Sequence, residues 1–146
     1  MSIINKSIIF FVMLGATCNT AKRNDELRKN NIQSALNAIR INDTISLYRV
    51  LDTTYLFDLK GKQGTKSVIE AIKKQLVSCE PNFQKDGTVK NKQYDYTNYT
   101  LELCGVNKLI FRFADYNTDN KIIYLEVKVE NGDMDFKPAI LPPKKE

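Results

Sequence analysis

The chain has 146 residues, with 22 lysines and arginines against 17 aspartates and glutamates, and it has no histidine. That absence removes the usual base near neutral pH, every Ser-His-Asp or Cys-His relay, and every His-containing zinc site. The net charge of +5 is scattered rather than gathered into the dense basic patch that follows phosphates, so no nucleic-acid partner is expected; no cofactor is expected either.

The chain opens on an apolar stretch behind Lys6: Ile8, Ile9, Phe10, Phe11, Val12, Met13 and Leu14. It is shorter than the roughly twenty apolar residues that span a bilayer. Gly15, Ala16 and Thr17 follow, and then Cys18. A positive start, an apolar middle and small residues are the features of an export signal. With its cysteine the segment resembles the bacterial lipoprotein signal, although Gly15 and Thr17 stand where that signal usually has leucine and glycine or alanine. The resemblance implies a signal peptide over 1–17, acylation of Cys18, and anchoring to a membrane of the cell envelope, facing the periplasm or the outside. Secretion after ordinary cleavage is the alternative.

Two further cysteines remain, Cys79 and Cys104. In an oxidising compartment such a pair can close into a disulfide. Two buried free thiols are the other reading, since cysteine packs as a small hydrophobe.

Past the signal, 18–26 is polar and reads as a tether. From Leu27 the apolar residues Ile32, Ala35, Leu36 and Ile39 fall at helical spacing, with Arg28, Lys29, Gln33 and Asn37 facing away. Asn42 and Asp43 break the pattern. Asp43 reads as the N-cap of a second helix that buries Leu47, Tyr48 and Leu51. The stretch 53–59, rich in β-branched and aromatic residues, reads as a short strand, and 61–64 as a loop. A third helix follows with Ser67 and Glu70 spaced as a capping box and Val68, Ile69, Ile72 and Leu76 on its buried side. Glu80-Pro81 stops it.

The second half reads as strands. Tyr94 and Tyr96 alternate, then Tyr99, Leu101 and Leu103 on the opposite parity, which predicts a bulge or tight turn near 97–98. Leu109, Phe111 and Phe113 make a strand. Ile123, Leu125, Val127 and Val129 make another, with Glu126, Lys128 and Glu130 outward. Asn131-Gly132 signals a hairpin leading to a last strand over 134–140. Helices early and antiparallel strands late predict an α+β domain over 27–141, with 142–146 as a tail.

Local residues carry a further likeness. Ala35-Leu36-Asn37-Ala38, then Leu47-Tyr48, then a segment ending at Asp58, then Gly64-Thr65 before Ile69, resemble in order and spacing the nuclear transport factor 2-like superfamily, which includes the ketosteroid isomerases. The likeness spans roughly Ile32 to Leu76, and the second half matches only in its strand character. It implies a cone, with N-terminal helices packed in a curved antiparallel sheet, and it makes a homodimer an expectation. Asp58 matches the isomerases' general base. Ile32 stands where their tyrosine donor would be, and Ile32 has no proton to donate, so Asp58 is a catalytic candidate without its partner.

Three other groups of residues suggest a chemistry of their own. Tyr55, Phe57, Tyr94, Tyr96, Phe111 and Phe113 could line an apolar cavity, though such a stripe is more often core. Asp115, Asn117 and Asp119, with Ile122 and Glu126, fall on a calcium-loop template, but Asn120 replaces its glycine and the flanks are strands, so a polar turn is the plainer reading and no metal is expected. Gly61, Gly64, Lys66 and Ser67 lack the Gly-Lys-Ser/Thr tripeptide of a phosphate loop. The expectation is an exported, lipid-anchored module that binds a small apolar ligand or an envelope protein without catalysis. The alternatives are a cavity isomerase or dehydratase using Asp58, and an inhibitor or immunity protein of the envelope.

Overall fold

A computed structural model of the chain describes residues 4–89, 95–104, 107–116 and 118–129, with side chains from residue 20 on except at 84–87, 89 and 129. Three helices come first, α1 (Ile4–Ile41), α2 (Thr44–Val50) and α3 (Thr53–Leu76). Four strands follow, β1 (Pro81–Val89), β2 (Tyr96–Leu103), β3 (Asn107–Ala114) and β4 (Ile122–Val129). The strands form one antiparallel sheet in the order β1-β2-β3-β4. The architecture is α+β, as the segregation of helical and strand patterns predicts.

Ile32, Ala35, Leu36 and Ile39 of α1 are buried as expected. Leu27 and Arg28 exchange their expected places: Leu27 is 42 % exposed and Arg28 only 7 %. Helix geometry explains this. Positions 28, 32, 35 and 39 lie four, seven and eleven residues along one face, and 27 lies off it. The stretch 18–26, expected as a tether, is helical, and Asn24 and Asp25 already reach the sheet side of the molecule. Its lysine, arginine and glutamate are competent helix formers, so polarity alone does not make it a linker.

α1 ends at Asn42, whose φ of 58° is the left-handed conformation asparagine tolerates. The Asp43 N–H bonds to Ala38 O at 2.9 Å and the Asn42 N–H to Ile39 O at 3.4 Å, the paired closure of a Schellman turn. Asp43 caps α2 as expected, its carboxylate accepting from the Ser46 N–H at 3.0 Å. Hydrogen bonding from Ser46, from its side chain first and its backbone N–H second, holds the Asp43 carboxyl below its ordinary pKa. Leu47 and Leu51 are buried, whereas Tyr48 stays largely at the surface.

The expected strand over 53–59 is the first part of α3. Asp52 decides the matter: its carboxylate accepts from the Tyr55 N–H at 3.3 Å and caps the helix. Its own N–H bonds to Ile122 O at 2.9 Å, and Leu51 forms a parallel bridge to Ile122, tying the α2–α3 junction to β4. The expected loop over 61–64 shrinks to one kink at Gly61, with φ 68° and ψ 166°. Ser67 is inside the helix, donating to Gln63 O at 3.0 Å, so Ser67 and Glu70 are not a capping box.

In the sheet, Tyr99, Leu101, Leu103, Leu109, Phe111, Phe113 and Leu125 turn towards the helices and form the main core with Ile32, Leu36, Ile39, Leu56 and Ile72. The expected slip at 97–98 is absent: β2 pairs with β3 in unbroken register, and the buried Thr97 continues the Tyr99 face. The irregularities lie in β1, between Lys85 and Gly87, and in the β3–β4 pairing, where the register shifts between Arg112 and Phe113 and leaves Ile123 unmatched. β1 itself was not expected, because PNFQKDGTV carries few apolar residues and sits at the sheet edge, where burial demands little. β4 buries Ile122, Ile123, Tyr124 and Leu125 in succession, so it faces two layers rather than one. The expected hairpin at Asn131-Gly132 and the strand over 134–140 lie outside the described residues. No helix among the described residues is long and apolar enough to cross a membrane.

Candidate functional site

Cys79 and Cys104 are joined by a disulfide, with 5.5 Å between their Cα atoms. The bond clamps the turn after β2 to the segment between α3 and β1, and Cys104 adopts a positive φ of 50° there. The pairing open on sequence grounds is therefore closed in the structure. Cys18 lies in helical backbone, and its side chain is outside the described residues.

Asp58 is exposed on the first part of α3 rather than at a strand end. It lines neither of the two surface clefts described below. The candidate pocket residues are distributed over separate places. Phe111 and Phe113 are fully buried core. Phe57 meets Tyr48 edge-on, with ring centroids 6.1 Å apart. Tyr55 and Tyr96 pack on the second layer, against Ala114, Ile123 and Tyr124. Tyr94 is outside the described residues. Helical backbone at 55–57 causes the split, because next-but-one residues share a face only in a strand.

The second layer is a ladder of cations and rings. Arg112 lies 4.2 Å from the Tyr96 ring and 4.8 Å from the Tyr124 ring, and Lys60 covers Tyr124 at 4.6 Å. Arg112 also donates from Nε to Asn98 Oδ1 at 2.9 Å. Burial pushes the Tyr124 phenol up to about 12, with the nearby Glu126 adding to the shift. Burial also lowers the Lys60 ammonium, opposed by Glu126. The rings and cations saturate one another, which makes this a packed wall.

The calcium-template residues have another task. The Asp115 carboxylate points to the protein, 2.8 Å from Arg28 Nη1, and accepts from the Thr97 hydroxyl at 2.8 Å. Arg28 Nε donates to Asn120 Oδ1 at 2.9 Å, and its ring neighbour is Phe113, 5.5 Å away. Asn31 Nδ2 donates to Asn120 O at 2.8 Å. Asn120 is buried at φ 50°. Asp119 lies exposed in the same turn, and Asn117 is outside the described residues. Among the described residues no group of three or more acidic or cysteine side chains is gathered as a metal site. Beside this cluster the Tyr99 hydroxyl donates to Asp25 Oδ1 at 2.6 Å, and burial, then that bond, raise the Tyr99 phenol far above its ordinary pKa.

Sequence reasoning missed this cluster, although one signal was present: Arg28 sits on the apolar stripe of α1, and a charge there requires partners. The cluster is a clamp holding the turn between β3 and β4 under α1. Its polar atoms are engaged with one another, which leaves it a structural role.

An open place for a ligand lies at the other end of α1. A cleft of about 320 Å³ runs between α1, α2 and α3, walled by Ala38, Ile39, Leu47, Tyr48 and Ile69 and rimmed by Asp43, Lys66, Glu70 and Lys73. Lys73 Nζ donates to Asn42 Oδ1 at 2.6 Å across its mouth. A shallower groove of about 350 Å³ continues along α3 past Lys66, Ser67, Glu70 and Lys74. Ile41 and Ile45 are more than two-thirds exposed near the cleft. Gly61 and Gly64 stand apart from this rim and form no phosphate cradle: Gly61 is the kink, and Gly64 is helical against Lys60. Such a cleft can seat an apolar group flanked by charges of both signs. Comparison with family models, with curated proteins and with solved structures gives no match for this chain.

Proposed function

We propose that this chain is an exported module, held at a membrane by acylation of Cys18, that acts by binding rather than by covalent chemistry. The disulfide between Cys79 and Cys104 carries the reading. Such bonds persist in oxidising compartments, which supports export, and the pairing leaves Cys18 as the remaining cysteine, at the end of the apolar leader. Helices preceding a single antiparallel sheet are compatible with a cone of the nuclear transport factor 2-like kind. The binding place we assign is the cleft between α1, α2 and α3. Asp58, exposed and away from that cleft, gives no support to the isomerase alternative.

Radiolabelled palmitate supplied to cells making the wild-type chain is expected to label it and to leave Cys18→Ala unlabelled. Absence of label from the wild type, with the leader intact on its first residues, would end the reading. For the cleft, amide NMR shifts on adding fractionated envelope extracts should centre on Ala38, Leu47 and Ile69. Shifts confined to the Arg112 face of the sheet would place binding elsewhere.

A further inference from the structure

We infer that the domain is mounted on the bilayer by a short helical post and presents one fixed end, the turn between β3 and β4, to the lipid headgroups. The inference rests on the acylation of Cys18 proposed above and adds an orientation to it. The helix that leaves residue 18 is the same α1 that carries the core stripe. It meets the domain early: Asn24 accepts from Asn120 Nδ2 at 3.5 Å, and Asp25 from the Tyr99 hydroxyl at 2.6 Å. Arg28 and Asn31 then fasten the next turn to Asp115 and Asn120.

Cys18 and Asn24 are six positions apart. As helix they span about 9 Å; even drawn out fully they reach only about 20 Å. Either way the clamp end of the domain stays within reach of the headgroups, and where the post continues as helix the clamp fixes which end of the domain faces them. Lys22 and Arg23 are exposed on the post, where cations favour an anionic surface. Tyr116 is 40 % exposed in the adjoining turn, and its hydroxyl pairs with that of Tyr55. A tyrosine there suits a headgroup layer, being apolar in body and polar at the tip. Ile45 and the α1–α2–α3 cleft lie at the far end of α1, about 25 Å further along its axis. The binding cleft would thus face away from the membrane.

The chain has no tryptophan, so each single-tryptophan variant reports from one place. The acylated mature protein beginning at Cys18, carrying Thr118→Trp or Ile45→Trp, is reconstituted into phosphatidylcholine–phosphatidylglycerol vesicles with nitroxide on the headgroups. Quenching should be at least about threefold stronger for Thr118→Trp, given the 25 Å axial separation. A flexible insert of about ten glycines and serines after residue 19 should erase most of that difference. Should Thr118→Trp misfold, Tyr116→Trp reports from the same turn. Equal quenching of the two vesicle-bound variants would overturn the mount and leave the anchor standing. A chain that does not stay on the vesicles would overturn both.

Discussion

Arg28 and Asp115 are 87 positions apart in the chain, yet their charged atoms meet at 2.8 Å beneath α1. Removing one partner leaves the other charge, the Thr97 hydroxyl and Asn120 without their arrangement. Breaking a buried pair costs about 3–5 kcal/mol. The Asp115 side chain keeps 26 % of its exposure, so water compensates in part, and Arg28→Ala is expected to cost about 3 kcal/mol. Arg28→Ala and Asp115→Ala combined should lose clearly less than the sum of the two singles, with a coupling of about 1 kcal/mol or more. Urea unfolding of the four proteins measures this, and additivity within error would refute the clamp.

The disulfide encloses a sequence separation of 25 residues, covering all of β1 and β2. Closing a loop of that length removes about 3.5 kcal/mol of chain entropy from the unfolded state. The double variant Cys79→Ser, Cys104→Ser should therefore unfold at lower urea by an amount equivalent to about 3 kcal/mol. β1 is an edge strand, and none of its described side chains is fully buried, so its amides should lose hydrogen-exchange protection first. Unchanged β1 protection in the serine variant would show that the strand holds by pairing alone.

Two residues set the shape of α3, and each can be tested separately. Asp52 supplies the N-cap, and Asp52→Ala is expected to cost about 1 kcal/mol. Gly61 has φ 68°, and a side chain there would meet nothing within 4 Å. The penalty of Gly61→Ala is thus purely conformational, about 1 kcal/mol or somewhat more. Thermal melts with both variants distinguish these from packing effects, since Leu56→Ala in the core should cost about 2–5 kcal/mol. A Gly61→Ala chain as stable as the wild type would show that the kink can straighten.

What the sequence made legible follows from how far each cause lies along the chain. The stripe Ile32, Ala35, Leu36 and Ile39 and the cap at Asp43 depend on neighbours within a turn or two, and both were readable. Segment 53–59 was misread because Tyr55, Leu56, Phe57 and Leu59 satisfy strand propensity, while the deciding contacts, the Asp52 cap and the Ile122 bridge, include one from across the molecule. The same error separated Tyr55 and Phe57 from the pocket they were expected to share. The turn containing Asp115 and Asn120 looked like an oxygen-rich loop because its carboxylate's true partner, Arg28, belongs to a helix formed far earlier in the chain. The cleft was invisible for a different reason: it arises from the angle between three helices, and no single segment encodes it.

The two buried phenols give a prediction in alkali. Both Tyr99 and Tyr124 have their folded pKa raised, by burial first and by a neighbouring acidic side chain as well. The fold therefore favours the neutral phenol. That contribution is complete below the unfolded value near 10 and is lost as the pH rises through the folded values, which for Tyr124 is about 12. Lys60 works in the opposite sense: burial lowers its folded pKa, so its contribution is present above its ordinary value and is lost as the pH falls through the lowered one. Phenolate absorbance of the native chain should lag that of the urea-unfolded chain across this alkaline range, by roughly two of its seven tyrosines. Tyr99→Phe and Tyr124→Phe together should abolish the lag. Since Tyr99 donates to Asp25 and Tyr124 lies between Arg112 and Lys60, each single variant should remove only its own share. Native and unfolded titrations that superimpose would contradict the burial of both rings.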